Sequence, residues 1–435
     1  MNRRLPRAPV LLAFGFAVLL GACTEDLESS TSCPALCPGQ DLVILDTVLT
    51  PAITMDTTLG PYPFRGFESP LLLAKRGDTL DVRVIARFDT LVRDYAPAGD
   101  TLRPVHTIDS ASVTLRLHRT GLPLPATFFL DAYDVRDSTA VDSIPSMLLP
   151  RFVPGRLLGS LQIDSANFSD TSAVHIPLDT AVLMAAIRDP AQAMRVGLRV
   201  RSTEPVAVWV TPSDDVVNGP QLRFRPISAT PGGADSTAVS FTIYPTSSTP
   251  SRPLFANADF VDYTLVAVAP NLRAASRFAA GGVPGVRSYL RFDVPPWVTD
   301  STFVVRAQLE FTQDPIYGLD QRDSIVVYPQ LVIAGHAVTD LARAASLLAP
   351  TGFFVTDSIR RAPADSGRVA IEINGLIRQW TTTNGVRIIP SAIVLRAANE
   401  GSTAAGLRFF GLSAAPGLRP RLRISYVRNA NFGRP

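Results

Sequence analysis

Residues 397–426 read AANEGSTAAGLRFFGLSAAPGLRPRLRISY. Turn formers stand at 399–402 and again at Pro416 and Gly417, where Gly, Asn and Pro permit the backbone to reverse. Between and after these turns apolar residues alternate with polar ones, as in Leu407 and Phe409, then Leu422 and Ile424. Pro420 leads into a closing run, 421–427. Alternation with a period of two is the mark of a strand that buries one face. The stretch therefore reads as the end of an antiparallel sheet.

The same pattern continues backwards through the second half. RSYLRFDVP (287–295), VVRAQLEF (304–311), SIVVYPQLV (324–332) and RVAIEINGLIRQW (368–380) each begin or run as short strands. The first half repeats the series in order. VIARFDTL (84–91) matches SYLRFDVP, so that Arg87-Phe88-Asp89 falls on Arg291-Phe292-Asp293. DSASVTLRLHR (109–119), ATFFLDAYDV (126–135), AVHIPL (173–178), VGLRVRSTEPVAVWV (196–210) and GPQLRFRP (219–226) match the later strands in turn. Six matches in one order indicate a duplication.

The expected fold is all-β: two tandem β-sandwich, jelly-roll-like domains with a few short helices, since an open sheet of many strands would leave long edges unpaired. The repeat places a diverged domain at 41–227, a linker rich in Pro, Gly and Ser at 228–236, a second domain at 237–428 and a tail at 429–435. Helical spacing is confined to 180–189, 338–349 and a turn at 374–380 that carries Trp380 inward. Trp209 and Trp380 are expected in cores.

Composition fits this reading. The chain has 435 residues, 46% hydrophobic and 18% charged, with 37 prolines, enough apolar material for more than one core and too much Pro for long helices. Basic residues are scattered with no run that would suggest a nucleic-acid surface. Lys75 is the only lysine.

Residues 1–22 have a basic start, an apolar run from Val10 to Leu20 and small residues before Cys23. The run is short for a membrane span and has the form of a secretory signal. LLGAC resembles a bacterial lipobox, which makes Cys23 the lipidated first residue of the mature chain and 23–40 its tether. Thr24 in place of Asp then directs it to the outer membrane, facing the periplasm or the outside. Removing Arg3, Arg4 and Arg7 takes the formal charge from +3 to 0. Cys33 and Cys37 are placed to close a small disulfide loop in an oxidising compartment.

Residues 240–428 resemble the DNRLRE (disaggregatase-related) β-sandwich domains through SYLRFDVP, RVAIEINGLIRQW and the closing run AANEGS…FFGLSAAPGLRPRLRISY. The first half resembles them only through the second, and lacks the NEGS turn, the Trp of LIRQW and APGLRPRL. The resemblance implies a non-catalytic module of secreted and surface proteins, in which some similar domains bind carbohydrate, including alginate. Polysaccharide is thus the expected partner. A structural or assembly lipoprotein that binds an envelope protein is the alternative.

No chemistry-bearing motif points to an enzyme. The four histidines, His106, His118, His175 and His336, have no second ligand at metal spacing, and there is no G-x-S-x-G elbow. Loop carboxylates could hold a structural Ca²⁺, though no ordered Asp-x-Asp-x-Asp loop is present. Sugar binding uses exposed aromatic faces beside polar groups. The candidates are Tyr317 with Arg322 beside it, Trp297, and Tyr62 in GPYPF, all read as loop residues.

Overall fold

The computed structural model describes residues 43–49, 52–96, 102–136, 145–169, 173–227, 240–246, 261–317, 323–350, 357–380 and 388–428. The signal segment, Cys23, Cys33, Cys37 and the tether, the linker 228–236, Arg322 and the tail 429–435 lie outside the described residues.

The first eleven strands are β1 (Leu45–Leu49), β2 (Ile53–Tyr62), β3 (Leu71–Arg76), β4 (Leu80–Phe88), β5 (Thr107–Arg119), β6 (Thr127–Asp134), β7 (Leu157–Asp164), β8 (Ala173–Pro177), β9 (Met194–Arg201), β10 (Val206–Val210) and β11 (Gln221–Ile227). The second eleven are β12 (Phe241–Ile243), β13 (Asp262–Val268), β14 (Arg277–Gly281), β15 (Gly285–Phe292), β16 (Thr302–Gln313), β17 (Ile325–Leu331), β18 (Ile359–Arg361), β19 (Gly367–Glu372), β20 (Ala392–Ala397), β21 (Gly406–Phe410) and β22 (Arg421–Arg428). A two-residue pairing of Asp94–Tyr95 with Arg103–Pro104 stands apart from both sheets.

Among the described residues the strands form two eleven-stranded antiparallel sheets, each curled around its own core. The first follows the order β12-β11-β5-β10-β3-β4-β9-β6-β7, with β8 also on β5 and β13 also on β4. The second follows β1-β22-β16-β21-β14-β15-β20-β17-β18, with β19 also on β16 and β2 also on β15. Advancing each strand of the first path by eleven, and passing from β22 back to β1, yields the second path. The six sequence matches fall on equivalent strands of this scheme. All-β sandwich architecture with few short helices is therefore the fold.

The division at residues 228–236 does not divide the sandwiches. β1 and β2 come from the first half but complete the second sheet: Thr47 faces Ile424 on β22, and Asp56 faces Leu290 on β15. β12 and β13 come from the second half but complete the first sheet, with Leu222 facing Ile243 and Val84 facing Thr264. Each half lends its opening two strands to the other. Domain boundaries read from the repeat are corrected accordingly, because strand pairing is a long-range choice that alternation along one strand does not encode.

Period-two alternation explains the cores. Val113, Leu115 and Leu117 of β5 point inward with Leu222 and Phe224 of β11. Ala307, Leu309 and Phe311 of β16 do the same with Leu422 and Ile424 of β22. β4 is buried along its whole length, since one face meets the core and the other meets covering segments. The covers are 145–152, whose Leu148 and Phe152 lie on Ile85, Tyr133 and Tyr263, and in the second sandwich the region of α3, whose Ala344 and Ala345 join Tyr62, Tyr289 and Val394.

Helices are short. α1 (Thr180–Arg188) is capped by Asp179, whose carboxylate accepts from the Ala181 and Val182 amides. α2 (Pro296–Asp300), α3 (Leu341–Ala344) and α4 (Asn374–Ile377) have one turn or little more. A 3₁₀ turn after α4 delivers Trp380 fully buried against Phe292, ring centroids 5.1 Å apart. Trp209 is half-buried and packs against a separate, smaller core cluster where the sandwiches meet, beside Leu72, Ala74, Val82, Val283 and Ala404, and its indole N–H donates to the Ser402 carbonyl at 2.6 Å.

Candidate functional site

Both sandwiches belong to one unit, Leu45–Pro435, and the chain crosses between them twice near one place. The segment after β2 carries the chain from the second sheet to the first, and the segment after β13 carries it back. The two crossings line a cleft of about 610 Å³, within the size of sites that take small ligands or a few sugar units. The end of β2 and the first crossing contribute Gly60 to Pro63, Arg65 and Glu68, and β13 with the second crossing contributes Thr264 to Val266 and 269–273. The β14–β15 turn with the start of β15, Ser146 and Gly401 complete the lining.

The NEGS turn forms part of the wall and is held by charge. Glu400, between β20 and β21, is buried and accepts from Arg287 Nε at 2.9 Å and from Arg396 Nη2 at 2.7 Å. Arg287 is buried too, donates to the Ala345 carbonyl at 2.9 Å and lies 4.2 Å from the centre of the Tyr62 ring. Gly401 has φ +79 and donates to the Gly282 carbonyl at 3.0 Å. That left-handed backbone suits glycine.

Tyr62 is therefore not a loop aromatic offered to a ligand. It ends β2, is 3% exposed, and its hydroxyl donates to the Ala342 carbonyl at 2.8 Å. Burial pushes its phenol above the usual range. Tyr317 is 77% exposed beyond the C-terminal end of β16. Trp297, 39% exposed, opens α2 before the N-terminal end of β16 and rests on Tyr426, centroids 5.1 Å apart. β16 has twelve residues, so these two aromatics are separated by a strand of roughly 40 Å. Tyr317, Trp297 and Tyr62 do not converge.

The cleft instead gathers Arg65, Glu68, Thr264 and Arg273, which the sequence reading passed over, and Phe64 and Phe67 stand on the same segment outside its lining. PYPFRGFESP (61–70) crowds three aromatics among three prolines, and that density was the available signal. Phe64 and Phe67 are exposed on this segment, with the Phe67 amide donating to the Phe64 carbonyl at 3.0 Å. Arg273 donates to the Gly60 carbonyl at 2.7 Å, and the Arg65 guanidinium lies 5.8 Å from the Tyr263 ring.

Glu68 is the acidic member of the lining. It is 8% exposed. Oε2 accepts from the Gly66 amide at 2.5 Å and Oε1 from the Thr264 amide at 3.4 Å. Desolvation pushes its carboxyl up to about 7, against the pull of these amides and helped by Asp262 nearby. Asp262 is also raised by burial, while the Ser213 amide and hydroxyl hold it at 2.6 and 2.9 Å. Beside Glu68, the Thr264 hydroxyl is buried with no hydrogen-bond partner.

A raised carboxyl has a sign. Below the unfolded value of 4.5 both states hold the proton. Between 4.5 and about 7 the unfolded chain has released it and the folded chain has not, so stability falls as pH rises through that window and is level above it. The shift corresponds to about 3 kcal/mol. Glu68→Gln should remove this slope: relative to the parent, its unfolding free energy should rise by about 3 kcal/mol from pH 4 to pH 8. Denaturant titrations at both pH values check this, and an unchanged difference would mean that Glu68 titrates normally.

Among the described residues no group of three or more His, Cys, Asp or Glu lies close enough to hold a metal ion, and no helix is long and apolar enough to cross a membrane. His118 and His175 contact Thr211 at 2.8 Å and Thr114 at 2.9 Å.

No family model matches the sequence, and no curated protein matches it. Among solved structures, those of infectious bursal disease virus, Gt strain and Gx strain, align over 89% of this chain and 77% and 78% of theirs. They are 11% and 10% identical, with a TM-score of 0.14 in each case. At that level the likeness carries no argument.

Proposed function

We propose that this chain is a non-catalytic binding protein of the cell envelope, tethered to the outer membrane through lipidated Cys23, that takes a segment of polysaccharide into the cleft between its sandwiches. The observation that supports the reading is the cleft itself: of ligand size, with Arg65, Glu68, Thr264 and Arg273 in its lining, and with the exposed Phe64 and Phe67 outside the lining on one of its two crossing segments. Phenyl faces beside polar groups suit the alternating apolar and hydroxyl surfaces of a pyranose. Binding without cleavage is the proposal because Glu68 is the one carboxylate among the described lining residues, whereas glycoside hydrolysis generally places two across the bond.

The test uses the soluble chain from Thr24 on a glycan array that includes uronic-acid and amino-sugar polymers. Retention is expected, with a loss of tenfold or more on replacing Phe64 and Phe67 together by Ala, and no change for Tyr317→Ala or Trp297→Ala. Loss confined to Tyr317→Ala or Trp297→Ala would move the site to the second sandwich alone. Retention of no glycan would favour an envelope protein as partner.

A further inference from the structure

Among the described residues the buried carboxylates are met by arginine with two exceptions, Asp262 and Glu68. Asp81 is met by Arg83 and Arg199 at 2.9 and 2.8 Å, Asp131 by Arg201 at 2.9 Å, Glu310 by Arg421 and Arg423 at 2.6 and 3.0 Å, and Glu400 by Arg287 and Arg396. Asp262 has no cation among the described residues, but both its oxygens accept from Ser213. Glu68 likewise lacks any Arg or Lys among the described residues within ion-pair distance; its oxygens accept only from the Gly66 amide and, at 3.4 Å, the Thr264 amide, and unlike Asp262 it lines the cleft.

We propose that the cleft recognises a free primary ammonium, which on a glycan means a hexosamine whose nitrogen carries no acyl group, set on the Glu68 carboxylate with a neighbouring hydroxyl on Thr264 Oγ1. This deepens the polysaccharide reading and rests on it. A buried charge is costly unless it is paired. A neutral hydroxyl would satisfy a lone pair of Glu68 and leave its charge uncompensated, and an anion would meet it with repulsion. An ammonium offsets the charge and donates three hydrogen bonds. The Thr264 hydroxyl, buried and unpaired at the same wall, supplies the second polar contact that fixes a sugar's orientation. The charged groups around Glu68 are Asp262 on β13, which adds negative potential, and Arg65 and Arg273 in the lining, with Arg273 engaged on the Gly60 carbonyl.

Calorimetric titration of the soluble chain from Thr24 tests this with three probes: β-1,4-linked glucosamine oligomers, their N-acetylated counterparts, and spermidine. Glucosamine oligomers should bind at least tenfold more tightly than N-acetylated ones. Glu68→Gln should abolish that preference, and Thr264→Val should weaken binding severalfold without harming the fold, because the lost hydroxyl has no protein partner. The pH profile should be bell-shaped, falling on the acid side as Glu68 takes up a proton and on the alkaline side as the ligand amine loses its own. Equal affinity for both oligomers, or a preference unmoved in Glu68→Gln, overturns the ammonium inference while leaving the polysaccharide reading standing. Spermidine binding that Glu68→Gln abolishes, with no oligomer bound, supports the ammonium site and overturns the polysaccharide reading. No binding by any probe overturns the ammonium site.

Discussion

A chain that begins at Leu71 is expected to keep its first sandwich and lose its second. Strands β3 to β13 of the first sheet are continuous in such a chain, whereas β15 and β22 lose β2 and β1. The cost is large. Ile53 and Tyr62 are almost wholly buried and each contributes roughly 1.5–3 kcal/mol by burial alone. Two strand ladders go with them, in a domain whose whole stability is about 5–15 kcal/mol. Amide exchange should show protection kept in β4, β5 and β9 and lost in β15, β16 and β20. Full protection of the second sheet would refute the dependence. A permuted chain separates loss of these strands from loss of the N-terminus as such. Leu45 lies opposite Tyr426 in register, so a short loop can join the end of β22 to β1. A chain running from Phe64 to Arg428, through that loop and on to Tyr62 should fold both sandwiches. By the same argument, the halves cut at 228–236 should not fold separately.

Glu400→Ala is the second substitution with a large expected effect. It leaves Arg287 buried under Tyr62 with its partner gone, and breaking a buried ion pair from one side costs about 3–5 kcal/mol. The damage should reach the cleft, since Tyr62 and Gly401 line it and Ser402 receives Trp209 from the other sandwich. A double-mutant cycle with Arg287→Met measures the pair directly. The double variant should recover much of the loss, because the one cation then left without its carboxylate is Arg396, whose side chain is 22% exposed and reaches water. A cost for Glu400→Ala below about 1 kcal/mol would show that the turn holds without its ion pair.

Much of the fold was legible. The alternation of Leu407 with Phe409 and of Leu422 with Ile424 fixed which face of β21 and β22 is buried. Matching Arg87-Phe88-Asp89 with Arg291-Phe292-Asp293 aligned β4 with β15, the centres of the two sheets. Trp380 was placed inward by its helical turn, and it lies there. The site was less legible. Tyr62 looked like a loop aromatic because Gly and Pro surround it, but β2 runs on to Tyr62 along β15, which puts the ring beneath Arg287. Tyr317 and Trp297 looked equivalent as exposed aromatics, yet the length of β16 separates them. Glu68 carried no signal of its own, since desolvation belongs to the surroundings and not to the residue.

By itself the sequence determined an all-β chain, the succession of the duplicated strands along it and the core-facing residues of strands such as β16, β21 and β22. These follow from local periodicity, and the duplication repeats them. Only the tertiary structure decided which copy each opening strand completes. β2 and β13 carry the same kind of alternation and β4 and β15 offer the same kind of edge, so either pairing satisfies the local pattern. Choosing the crossed pairing brings residues 60–63, Arg65, Glu68, 264–266, 269–273, 283–286 and Gly401 around one cleft. The cleft is a consequence of that choice, and it exists at no single place in the sequence.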